Sequence, residues 1–96
     1  MLHRNMNVFA APARAQHDLD DILGSLYHAR RKEDLGRLAL VTYWEVRRWA
    51  RETRHDHLAE VAGRAIIDPP LRSRGEFLGV IDDVIAELEG IRRLLR

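Results

Sequence analysis

The chain has 96 residues, enough for one domain with a small core. Its 16 basic and 15 acidic residues leave a formal charge of +1, so total charge singles out no polyanionic partner and the placement of charge has to decide. The absence of cysteine excludes disulfides, thiolate zinc sites and cysteine nucleophiles, no apolar run nears the roughly 18 residues of a membrane span, and residues 1–15 carry no signal-peptide core, so a cytoplasmic protein is expected.

Residues 1–12 show no sustained hydrophobic period and read as a flexible N-terminal arm, with Phe9 as the one side chain suited to pinning it. A single helical domain is expected over 13–96. Pro12 suits a position at the start of a helix, and from there Ala15, Leu19, Ile22, Leu23, Leu26 and Ala29 recur at spacings of three and four. Asp18, Asp20 and Asp21 come early and Arg30, Arg31 and Lys32 late, as the helix dipole favours. Periodicity and charge therefore agree on a first helix from about Ala13 to Arg31.

Lys32, Glu33 and Asp34 form a short polar turn, and Asp34 is a good N-cap for a second helix from Leu35 to about Glu52. Leu35, Leu38, Ala39, Thr42, Val46 and Trp49 make its inner side. Thr53 to Asp56 are weaker helix formers. The pattern resumes at Leu58, Val61, Ala62, Ala65 and Ile66, either as a third helix after a break at 53–56 or as one long helix, and the weak formers favour the break. Asp68, Pro69 and Pro70 then stop it.

Ser73 and Glu76 form a capping box, and behind it Phe77, Ile81, Val84, Leu88, Ile91 and Leu95 line one side of a last helix. With Leu78, Val80, Ile85 and Leu94 the apolar sector widens to about 200°, more than a surface helix needs, so cover is required from two directions. The cover is to come from the rest of the chain or from a second copy, and a homodimer is expected. The fold class that follows is all-α, an antiparallel three- or four-helix bundle.

The outer side of the second helix carries Arg37, Leu40, Trp44, Arg47, Arg48, Arg51 and Arg54. Two readings fit a tryptophan and a leucine among arginines. Either another helix of the same bundle covers them while the arginines reach past its edges, or they form a protein-binding patch, since Trp and Arg are enriched at interface hot spots. A nucleic-acid interface is the alternative, weakened by Glu45 and Glu52 on the same helix. The last helix carries Asp82, Asp83, Glu87 and Glu89, which could pair with the basic helix inside one chain or across a dimer.

No motif points to catalysis, a metal or a cofactor. His55 and His57 diverge on a helix and lack a third ligand; Glu52 with His55 is a lone Glu-x-x-His pair where a di-iron bundle needs two; His17 and His28 are too far apart to share an ion. Asp82 and Asp83 diverge by about 100° on the water side, and the six glycines form no phosphate loop. Gly79, Ala86 and Gly90 share one line of the last helix, where a partner helix could approach closely. Fifteen of the sixteen basic residues are Arg, as GC-rich coding produces. The expected protein is a non-enzymatic interaction module, such as a small bacterial regulator, adaptor or chaperone-like bundle, with a nucleic-acid-associated regulatory factor as the alternative.

Overall fold

Helix α1 (Leu2–Arg31) opens a computed structural model that describes the backbone of residues 2–67 and 73–95 and the side chains of 13–64 and 73–95. Its backbone is helical from Leu2, eleven residues before the start the sequence suggested. The expected start rests on Pro12 as a first helical position and on a missing amphipathic period, which reports burial rather than backbone helicity; Pro12 instead lies inside the helix, which forgoes one backbone hydrogen bond there. Phe9 lies outside the described side chains. Leu19, Ile22, Leu23, Leu26 and Ala29 are buried, as their spacing required.

The end of α1 is closed by two overlapping backbone bonds. Glu33 N–H donates to Arg30 O at 3.1 Å and Asp34 N–H to Ala29 O at 3.0 Å, a Schellman motif with Glu33 at φ 51°. Asp34 at once caps the next helix, its Oδ1 accepting from Arg37 N–H at 3.1 Å. That helix, α2, is built of three consecutive pieces: an α-helical Leu35–Leu40, a π-helical Val41–Val46 and an α-helical Arg47–Glu52.

The break after α2 falls at 53–56, and its cause is a second Schellman motif. Arg54 N–H donates to Arg51 O at 3.3 Å and His55 N–H to Ala50 O at 2.7 Å, with Arg54 at φ 64°. An L-residue at that angle crowds its own carbonyl, a cost glycine avoids. Arg54→Gly is therefore expected to raise the unfolding free energy by about 1 kcal/mol in urea titration, and Arg54→Ala to leave it unchanged. A loss on glycine substitution would show that the arginine side chain matters more than its backbone angle.

Helix α3 (Asp56–Ile67) buries Leu58 and Ala62, with Ala59 and Val61 packed at the edge of the core. Asp68, Pro69 and Pro70, expected to stop it, lie outside the described residues. Helix α4 (Arg74–Leu95) starts at the capping box read from the sequence: Glu76 N–H donates to Ser73 Oγ at 3.1 Å and Ser73 N–H to Glu76 Oε1 at 3.4 Å.

The described residues form helices and short turns, without a strand. Helix α1 packs on α2 and α4, α2 on α3, and α3 on α4, so α4 is covered from two sides by its own chain. Ile81, Val84, Leu88 and Ile91 are buried, and Phe77, Leu78 and Ile85 pack against them. The sector is narrower than the sequence implied at its end: Leu94 is 85% exposed and Leu95 40%. Leu94 lies about 100° around the helix from the buried line, and both it and Leu95 sit on the last turn. None of the helices is long and apolar enough to cross a membrane among the described residues.

Candidate functional site

The outer face of α2 is shaped by its π-helical middle. The buried side chains of this helix are Leu38, Val41, Thr42, Val46, Trp49 and Ala50. On an unbroken helix of 3.6 residues per turn these six positions spread over about 180°, but over about 120° once one residue between 42 and 46 is looped out. The π segment makes that adjustment, with Arg47 N–H donating to Thr42 O five residues back. It brings Val41 and Ala50, absent from the inner side counted at 3.6, into the core. The fully buried hydroxyl of Thr42 has no hydrogen-bond partner among the described residues.

The widened turn carries the exposed aromatics. Trp44 is 63% exposed and Leu40, one turn earlier, 54%, while Trp49 on the opposite side is only 3% exposed. No other helix of the described chain covers the two outer side chains. The Tyr43 ring meets Trp44 edge-on at 5.2 Å between centroids, and the Arg47 guanidinium lies over Tyr43 at 4.8 Å. Tyr43 escaped sequence reading because an unbroken helix places it between the two faces; its adjacency to Trp44 was the available signal.

The arginines spread across the face rather than sharing one spot. Arg48 is exposed beside Trp49, in a groove whose other lining includes Asp18, Asp21, Glu45 and Glu52. Arg47 and Arg51 line a groove of about 430 Å³ between α2 and α3, with Asp56, Glu60, Gly63 and Arg64. Arg37 lies at the edge of a groove of about 600 Å³ between α1 and the start of α2, near Asp20, Asp21 and His28.

The acidic helix finds its partners elsewhere. Asp82 accepts from Arg30 Nε at 2.8 Å and Nη2 at 3.2 Å, and this hydrogen bonding holds its carboxyl below the ordinary carboxylate range. Arg92 pairs with Asp20 at 3.0 Å, Glu87 with His57 at 3.1 Å, and Arg74 with Glu33. Asp82 and Glu87 of α4 therefore engage α1 and α3, Glu89 pairs with Arg92 of its own helix at 3.7 Å, and the pairing of α4 with the arginines of α2 is not formed among the described residues. Nor does a helix approach along the line of small residues: a Cβ at Gly79 would meet nothing within 4 Å, and at Gly90 only Arg93 Nη2 at 4.0 Å.

His55 and His57 serve different contacts. His55 stacks on Trp49, 5.3 Å between centroids at 7°, and its Nδ1 lies 2.7 Å from Thr53 Oγ1, while His57 faces Glu87. Among the described residues no three His, Asp or Glu side chains converge as a metal site, and the one fully buried polar side chain is Thr42. Compared with known proteins, the chain matches no family model, no curated protein and no solved structure.

Proposed function

We propose that this protein is a non-enzymatic interaction module, a small cytoplasmic bacterial regulator, adaptor or chaperone-like protein that binds another protein through the outer face of α2. The observation that carries the reading is the contrast between the two tryptophans: Trp49 is sealed in the core while Trp44, with Leu40, stands in water. A large aromatic beside a leucine and flanked by guanidinium groups has the composition of an interface centre, where single side chains are worth about 2 kcal/mol or more. The scaffold is best read as an antiparallel four-helix bundle, since Asp20 faces Arg92 and Arg30 faces Asp82 along α1 and α4. A homodimer was expected in order to cover α4, but α1 and α3 pack there, so a foreign partner is the simpler reading.

The test compares what the immobilised chain and its variants retain from a bacterial lysate. Trp44→Ala is expected to release a specific protein that the wild type holds, by a factor of about 30 or more in affinity, with Arg47→Ala/Arg51→Ala having the smaller effect. Retention of nucleic acid with a steep salt dependence, lost in the double arginine variant and kept in Trp44→Ala, would assign the face to phosphate binding instead.

A further inference from the structure

We infer that the partner seated on this face is an acidic amphipathic helix, whose apolar side chains cover Leu40 and Trp44 while its carboxylates meet Arg37, Arg48 and Arg51. The inference rests on the protein-binding reading above and adds the chemistry of the partner.

Among the described residues the arginines divide into those that hold a carboxylate and those that do not, and position along α2 sets three of the second group apart. Arg30, Arg64, Arg74 and Arg92 each hold a carboxylate of the same chain. Arg37, Arg48 and Arg51, like Arg14, Arg31, Arg54 and Arg93, form no ion pair among the described residues and are exposed, but only these three lie beside Leu40 and Trp44 on α2. Their positions bracket the apolar pair along the helix, Arg37 before Leu40 and Arg48 and Arg51 after Trp44. Leu40 and Trp44 are four residues apart, and such a pair forms part of a ridge onto which the apolar stripe of a second helix packs. Arg47 is already held over Tyr43, so the aromatic centre is partly ordered before a partner arrives, which lowers the entropic cost of binding.

Two other occupants fit worse. A second copy docking by a two-fold axis through Trp44 would oppose residues equally far on either side of it, so Arg51 would fall on the partner's Arg37 and Arg48 on Leu40. Like charges would meet at both ends of that contact. A nucleic-acid strand would run its phosphates past Asp18, Asp21, Glu45 and Glu52 on one flank and Asp56 and Glu60 on the other. A peptide helix differs in that it can set single carboxylates opposite Arg37, Arg48 and Arg51 and uncharged side chains against the acidic residues that line the same grooves.

The experiment is a selection from a displayed library of helix-forming peptides, randomised at their surface positions without charge bias, against the wild-type chain with counter-selection on Trp44→Ala. The expected winners carry Leu, Ile or Phe at spacings of three and four with Asp or Glu beside them. A synthetic winner is expected to lose about tenfold or more in affinity for Arg48→Gln/Arg51→Gln, and to bind more weakly as salt rises. Both variants change exposed side chains, and far-UV circular dichroism checks that they remain helical. Winners that depend on Trp44 but are neutral or basic overturn the acidic helix and leave the protein-binding reading standing. The absence of any Trp44-dependent winner removes both. Sedimentation equilibrium of the chain alone closes the remaining route: a dimer abolished by Trp44→Ala gives the face to a second copy and overturns the inference.

Discussion

Trp49→Ala is expected to lower the unfolding free energy by about 3–5 kcal/mol, against no more than about 0.5 kcal/mol for Trp44→Ala. The two tryptophans are five residues apart on one helix, and only their surroundings differ. Trp49 is buried, and its Nε1 donates to Ala15 O at 3.0 Å, which ties α2 to α1. Its ring stacks on His55, and its own carbonyl accepts from Thr53 Oγ1 at 2.7 Å, so it also steadies the connection to α3. Truncation to alanine opens a cavity where α1, α2 and the 53–55 turn meet and leaves the Ala15 carbonyl without this donor. Trp49→Phe keeps most of the volume and loses the hydrogen bond, so a cost of about 1–2 kcal/mol is expected. Urea titration followed by circular dichroism at 222 nm checks all three variants. Equal costs for Trp44→Ala and Trp49→Ala would mean that the inner and outer faces of α2 have been assigned wrongly.

The parts of this fold that were legible in the sequence are those set by residues close together in the chain. Ser73 with Glu76, and Asp34 ahead of Leu35, are caps whose donors lie three residues away, and both form as their side chains dictate. The stripe of α1 from Leu19 to Ala29 lies on a regular helix, so counting at 3.6 finds it. The break near residue 54 was visible only as a run of weak helix formers. Its geometry, a left-handed arginine closing a Schellman motif, has no sequence signal, because the residue that usually announces that conformation is glycine. The π segment was illegible for a related reason: a count at a fixed period turns Val41 towards the outer side, puts Ala50 at the margin of the inner one and leaves Tyr43 between the faces. The candidate site itself was half legible. The sequence grouped Arg37, Leu40, Trp44, Arg47, Arg48 and Arg51, yet a second apolar stripe on a helix looks the same whether another helix covers it or water does. Only the packing order distinguishes the two, since α1 and α3 occupy the inner flanks of α2 and leave Leu40 and Trp44 outside.

Deleting Glu45 is expected to leave the protein folded, whereas deleting Ala86 is expected to unfold it. A one-residue deletion inside a regular helix turns everything beyond it by about 100°. In α4, loss of the exposed Ala86 would swing Leu88 and Ile91 out of the core and part Glu87 from His57 and Arg92 from Asp20. Removing two such side chains from a core costs about 2–5 kcal/mol each, against a total stability of about 5–14 kcal/mol for a chain this long. In α2 the same operation has the opposite sense. With Glu45 gone, Leu38, Val41, Thr42, Val46, Trp49 and Ala50 fall at spacings of three and four, so an ordinary α-helix presents the same core without a widened turn. The Glu45 deletion should therefore melt cooperatively, at or above the wild-type midpoint, with Trp49 emission still blue-shifted, while the Ala86 deletion shows no transition. Unfolding of both, or survival of both, would show that residues 41–46 are not an α-helix holding one residue too many.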